Sequence, residues 1–459
     1  MNESAHAGVL IRRLHVAPDL AALHAAQPQR YPHLLESVAH GTPRGRFDVL
    51  FAFPGETLEL KADGHLRFAG RDMEQGDFLA AFDALWRKHA CHLDSATDVL
   101  PFRGGWFVFL AYELVAQIES RLGRLPAEID FPVAFATRFP AAIVLDHANQ
   151  HCYAVCESEQ SALLEQLMED AARAPVDAQE TISVQDIRED DAERFLSGVR
   201  RVQDYIRAGD VFQVNLSRGW RAELVQAIRP VTLYRRLRAT NPAPFAGLVT
   251  WPGGHAIVSS SPERLVEVRG RRVSTRPIAG TYPRSTDAAE DERWSRELLA
   301  HPKERAEHVM LIDLERNDLG RVCRPGTVRV SELMVLESYR HVHHIVSEVT
   351  GELRDDVGPA QVLRAVFPGG TITGCPKIRC MEIVAELEQA PRGAYTGSMG
   401  YINRDGSMDL NILIRTLVQS GTRLRWRAGA GIVADSVPER ELQETRAKAR
   451  GVIAALERA

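Results

Sequence analysis

Apolar positions recur along the first part of the chain with two different rhythms. Phe47 to Phe53 (FDVLFAF) and Ala141 to Leu145 are short apolar runs that read as strands, and between them Asp77 to Lys88 has a helical pattern. The stretch from Ser161 to Asp190 opens as an Ala/Leu helix and then turns acidic and polar without clear periodicity. Its second half, residues 173–189, reads as a linker between an N-terminal region, 1–172, and a second region, 190–459. Asp190 to Ala208 is strongly helical and ends in Ala-Gly-Asp; the alternation of the adjoining VFQVNLSRGW predicts a strand. Glycine-rich turns punctuate the rest of the chain: PGGTITG from Pro368, TGSMG from Thr396 and AGAG from Ala428. With no internal repeat or low-complexity tract, the pattern predicts a mixed α and β globular protein.

Composition narrows the partners. In 459 residues the hydrophobic share is 45%, the charged share 25% and the net charge -5, a globular average that disfavours general nucleic-acid binding. Arginines near the middle leave room for a local basic pocket, so a small anion is the expected partner. Six cysteines (Cys91, Cys152, Cys156, Cys323, Cys375, Cys380) are too sparse for a disulfide framework and show no C-x-x-C pairing, which fits a reduced cytoplasm. The opening MNESAHAGVLIRRLHVAPDL has no continuous apolar segment, and no uncharged apolar run reaches about 18 residues, so neither export nor membrane insertion is expected.

Two helical segments carry the candidate chemistry. Glu304 and Glu307 in KERAEHVMLIDL, and Glu441 and Glu444 in ERELQETRAKAR, are pairs spaced so that each shares one helix face. Such a pair on a charged helix is either a solvated face or, if the two helices oppose, half of an all-oxygen cation site of the kind that suits Mg²⁺ rather than Zn²⁺. Lys448, one further turn on, can face the same cavity. Gly369, Gly370 and Gly374 allow tight turns or, equally, close approach of backbone N–H groups to an anion.

Nine ordered segments then give the chain a resemblance: GDVFQVNLS (from Gly209), SPER (Ser261), RPIAGT (Arg276), KERAEHVMLIDLERNDLGRV (Lys303), HVHHIVS (His341), FPGGTITGCPK (Phe367), RGAYTGSMGY (Arg392), IRT (Ile414) and AGAGIVADSVPERELQET (Ala428). They resemble the chorismate-utilising enzymes, which make anthranilate, aminodeoxychorismate, isochorismate or salicylate. HLLESV (His33), RGRFDVL (Arg44) and PFRGGWFVFLAYEL (Pro101) extend the likeness toward the N-terminus. The resemblance implies an α+β fold, two large packed antiparallel sheets with helices on the outside, to which the N-terminal region contributes strands.

It also implies roles. Mg²⁺ would be held by Glu304, Glu307, Glu441 and Glu444. Glu263 matches the family's general acid for the departing C4 hydroxyl, and His344 a histidine beside that hydroxyl; a transition-metal site at His341, His343 and His344 is rejected because no thiolate or other ligand accompanies them. Arg415 and Tyr395 match positions that grip the enolpyruvyl carboxylate, and Gly280, Thr281, Thr371, Gly429, Gly431 and Lys448 line the pocket. Family members that form a covalent lysine adduct carry that lysine where this chain has Ala279, and those that activate water carry one where it has Gln213, so ammonia is the expected nucleophile. Asn215 in QVN, NPAPFAG and FPGGTITG resemble the form that makes 4-amino-4-deoxychorismate for 4-aminobenzoate and folate; RPIAGT resembles the form that makes anthranilate and pyruvate for tryptophan. Leu35, Glu36 and Ser37, with Asn241 and Pro242, mark a possible tryptophan site. Without a G-x-C-x-G turn, ammonia must come from glutamine through a separate glutaminase subunit. A scaffold that keeps the fold without the activity would be expected to have lost some of these side chains, and all are present.

Overall fold

The structure, a computed structural model, describes residues 3–6, 8–38, 45–93, 97, 99–128, 131–173, 180–285, 287–338 and 342–457. Among these residues, a 13-stranded and a 12-stranded antiparallel sheet pack together, with helices on their outer sides. Both sheets draw on both ends of the chain. His33–Glu36 pairs with Phe245–Trp251 in the larger sheet, and Gly105–Leu110 pairs with Ser398–Asn403 in the smaller.

The two apolar runs explain the layer between the sheets. Phe47–Ala52 and Ala141–Asp146 are adjacent strands, with Phe47 opposite Asp146. Their inward side chains Val49, Phe51, Ala142 and Val144 meet Phe107, Phe109 and Phe135 of the other sheet. Each such buried large apolar side chain is worth about 1.5–3 kcal/mol. The predicted helix forms over Phe78–His89, where the Asp77 carboxylate accepts from Ala80 N at 2.8 Å and caps the first turn.

The segment read as a linker divides. Residues 174–179 lie outside the described residues, whereas Val184–Glu189 is a strand that pairs with Gln213–Leu224 at the border of the larger sheet. Its sequence VQDIRE is exposed at most positions, so no apolar alternation announces it. Asp191 then caps the helix Ala192–Arg207.

Strand Gln213–Leu224 positions the candidate site. Val214 and Leu216 point to one side, where they pack on Phe195 and Val199 of the Ala192–Arg207 helix and on Ile383 of Lys377–Glu388. Gln213, Asn215 and Ser217 therefore share the opposite face. Across the ladder, strand Arg423–Ile432 places Gly431 opposite Asn215 and Gly429 opposite Ser217. Among the described residues, no helix is long and apolar enough to cross a membrane.

Candidate active site

The floor of the site is built from that polar strand face and the two glycines. A methyl placed at Gly429 would stand 2.5 Å from Tyr395 Oη, 2.6 Å from Asn215 Oδ1 and 2.8 Å from Leu216 O; at Gly431 it would stand 2.3 Å from Gln213 Nε2. Only a missing Cβ lets these groups close over the strand. Gly429→Ala should displace Tyr395, raise KM for substrate by ~10-fold or more and lower stability by about 1–3 kcal/mol, read by kinetics and by thermal melting. An unchanged KM would dissociate Gly429 from the pocket.

The acidic wall comes from helices Pro302–Gly320 and Pro438–Leu456, each opened by proline in its first turn. Glu307 Oε1 accepts from Gln213 Nε2 at 2.7 Å. Burial raises the Glu307 pKa, and the charges of Glu304 and Glu444 raise it further. Glu304 Oε2 lies against Gly280, only 2.8 Å from where a Cβ would be. From the second helix, Glu444 pairs with Lys448 at 2.7 Å, and Lys448 Nζ also donates to Gly429 O at 3.0 Å. Burial opposes the Lys448 charge, but the Glu444 carboxylate outweighs it and holds the pKa above the ordinary value. Glu441 is buried one turn earlier on the same helix. Glu304, Glu307 and Glu444 thus share one electrostatic field, with the Lys448 ammonium beside it. Among the described residues, no group of three or more His, Cys, Asp or Glu side chains is gathered closely enough to hold a metal ion as it stands. The donors are nonetheless all carboxylate oxygens, and the mutual repulsion felt at Glu307 is the kind a hard divalent cation relieves.

Opposite this wall stands Glu263, 5% exposed, whose Oε1 has no hydrogen-bond partner. Burial pushes its pKa up to about 7; the nearby Thr371 hydroxyl, the Ile278 backbone and the cations Lys448 and Arg415 only partly offset this. Arg415 feels the Glu263 charge, and its own pKa is lowered by burial. Its backbone adopts a left-handed φ of 52°, with its carbonyl accepting from Ser260 N at 3.2 Å. His344 is pushed down to about 4 by burial and by Arg415, so the ring is neutral near pH 7. Ala279 is buried opposite Ile345, and Thr281 pairs with His344. Between them Gly280, with φ of 71°, is the bulged residue that bends this strand toward Glu304.

The histidine run does not act as a unit. His343 binds Ser338 Oγ at 2.8 Å and Asp291 Oδ1 at 3.0 Å, while His341 lies outside the described residues.

A model of the chorismate binding enzyme family matches residues 34–454. The chain belongs to that family. It is 41% identical over 449 residues to anthranilate synthase component 1 of Thermus thermophilus, covering 96% of both chains. It is 38% identical over 447 residues to aminodeoxychorismate synthase component 1 of Bacillus subtilis, covering 94% of this chain and 93% of that one. The crystal structure of anthranilate synthase component I from Streptococcus pneumoniae matches with a TM-score of 0.79 and 33% identity, over 90% of this chain and 93% of that one.

In this chorismate-binding enzyme one feature beside the cleft escaped sequence reasoning. Arg392, buried in RGAYTGSMGY, binds Glu388 at 2.7 Å and Asn215 O at 2.7 Å and lies over the rings of Tyr395 and Tyr112, bracing Tyr395 from behind. The motif contains Arg392, but its partner Glu388 lies upstream of that motif. The possible tryptophan residues divide. Leu35, Glu36 and Ser37 line a separate cleft of about 440 Å³, together with Pro244, Phe245 and Ala246. Asn241 and Pro242 are not in its wall; Asn241 Nδ2 donates to Ser260 O at 3.2 Å instead.

Proposed function

We infer that this chain is the chorismate-aminating component of an aminodeoxychorismate synthase, component I, which adds ammonia from a separate glutaminase subunit to chorismate in a Mg²⁺-dependent reaction. The product is 4-amino-4-deoxychorismate, the precursor of 4-aminobenzoate and folate. One observation carries the choice of ammonia: the position of a water-activating lysine is held by Gln213, whose amide donates to Glu307 and leaves Oε1 buried without a partner. That oxygen is an acceptor for an N–H donor and no base for water.

Substrate carboxylate meets Arg415 and Tyr395, and a guanidinium fork suits a planar carboxylate. Glu263, whose raised pKa keeps a proton on a large fraction of the carboxyl near pH 7, donates it to the departing C4 hydroxyl, which leaves as water. With Ala279 where a covalent lysine would stand, ammonia forms the C4–N bond directly, and one proton of the new ammonium returns to the Glu263 carboxylate. Neutral His344 lies beside the hydroxyl and orients it. Glu304, Glu307, Glu441 and Glu444 would hold Mg²⁺, which when bound would supply Lewis acidity at the ring carboxylate.

A second reading, anthranilate synthase component I, is favoured by Ala279 in RPIAGT and by the Thermus thermophilus relative. Asn215 favours the first: its side chain donates to Ile372 O at 3.0 Å and ties the floor strand to the FPGGTITG segment. The test is to supply chorismate, ammonium and Mg²⁺ with and without an aminodeoxychorismate lyase. The first reading requires 4-aminobenzoate only when the lyase is present, and anthranilate with pyruvate in its absence would establish the second.

A further inference from the structure

The helix that carries Glu304 and Glu307 also buries Glu315, a carboxyl that the proposed chemistry leaves unused. Glu315 is 5% exposed and lies under the Gly369–Thr371 segment. Gly370 N donates to its Oε1 at 3.4 Å, and a methyl at Gly370 would stand 3.2 Å from that oxygen. Three residues on, Asp318 is already matched, by Arg321 at 3.0 Å and by Lys377, whose ammonium also donates to Pro368 O at 2.8 Å. Glu315 therefore shares only what remains of the Lys377 field, and it has no ion-pair partner among the described residues.

The loop above Glu315 ends in Thr371, which stands beside Glu263 on the cleft side. Glu315 and Glu263 thus flank one short segment, Glu315 from behind and Glu263 from the front. Burial, then Asp318, push Glu315 up to about 7 against Lys377, and the Glu263 charge adds to the rise. Two buried carboxyls that sense each other in one range titrate as a pair, so that ionising one holds the proton on the other. Lys448 and Arg415 face Glu263 and favour its loss of a proton; Asp318 and Lys377 face Glu315.

We propose that Glu315 is a positioning residue for Glu263: it anchors the Gly369–Gly370–Thr371 segment so that Thr371 is set against the acid, and its charge helps keep the acid protonated. The proposal rests on Glu263 as the proton donor. The test measures kcat and KM for chorismate across about pH 6 to 9, at fixed free ammonia, in the wild-type chain and in Glu315→Gln, Glu315→Asp and Glu263→Gln. Glu315→Gln keeps the shape and removes the charge; kcat should fall ~10-fold with KM changed less than about threefold, and the high-pH decline of kcat should move down by about half to one pH unit. Glu315→Asp keeps the charge but draws it away from Gly370, so kcat should fall while the decline stays in place. A decline that does not move in Glu315→Gln, or that moves equally in Glu315→Asp, overturns the proposal alone. If Glu263→Gln retains the wild-type high-pH decline, Glu263 is not the titrating acid, and that reading falls together with the proposal.

Discussion

Glu263→Gln should lower chorismate turnover by ~10²–10⁴-fold, the usual worth of a positioned general acid, while leaving chorismate binding within a few-fold of wild type. Glutamine fills the same space between Thr371 and Arg415 but has no proton of suitable acidity to give. The same substitution should act on stability in the opposite direction. A carboxyl whose pKa rises from 4.5 to about 7 on folding contributes stability that is complete below pH 4.5 and is lost as pH rises through about 7. At pH 8 the wild-type chain holds a buried carboxylate whose Oε1 has no hydrogen-bond partner, and Glu263→Gln should be the more stable protein, by on the order of 2 kcal/mol. Loss of activity with a raised melting temperature at pH 8 separates a functional carboxyl from a structural one. A variant that is destabilised at pH 8 would show that Glu263 supports the fold instead.

Glu307→Gln and Glu444→Gln should each remove most activity, and EDTA should do the same to the wild-type chain. Partners one shell beyond a metal ligand are worth about 10- to 100-fold, so loss of a ligand should cost ~100-fold or more. The contrasting account is that Glu444–Lys448 is a half-exposed ion pair on a helix surface, which would be worth less than about 1 kcal/mol and would leave turnover untouched. Glu307 discriminates most sharply: relieving its repulsion with Glu304 and Glu444 should leave the fold intact or slightly firmer. Excess Mg²⁺ should partly restore both variants. Full turnover after EDTA treatment would end the metal assignment.

Much of this site is legible in the sequence because its chemistry repeats at helical or strand spacing. Two Glu pairs at three-residue spacing predict one face per helix, and the structure brings Glu304, Glu307 and Glu444 into one field. Alternation in VFQVNLSRGW predicts the face shared by Gln213, Asn215 and Ser217. Contacts between distant segments leave no such trace. The Lys377–Asp318 pair spans 59 positions and the Arg392 bond to Asn215 O spans 177, and nothing local marks either. The border strand Val184–Glu189 was hidden for another reason: a strand open to solvent needs no apolar residues, so it reads as linker. Of the residues named for a possible tryptophan site, Leu35, Glu36 and Ser37 reach the second cleft together with Pro244 to Ala246, farther along NPAPFAG, and Asn241 and Pro242 do not.

The most direct measurement of the central claim is the isotope content of the product formed by the purified chain from chorismate, ¹⁵N-ammonium and Mg²⁺ in ¹⁸O-water. The account predicts a single product that carries ¹⁵N and no solvent oxygen, released without pyruvate and converted by aminodeoxychorismate lyase to ¹⁵N-labelled 4-aminobenzoate. A product that carries ¹⁸O on the ring and no ¹⁵N would mean that water is the nucleophile despite Gln213, and would contradict it.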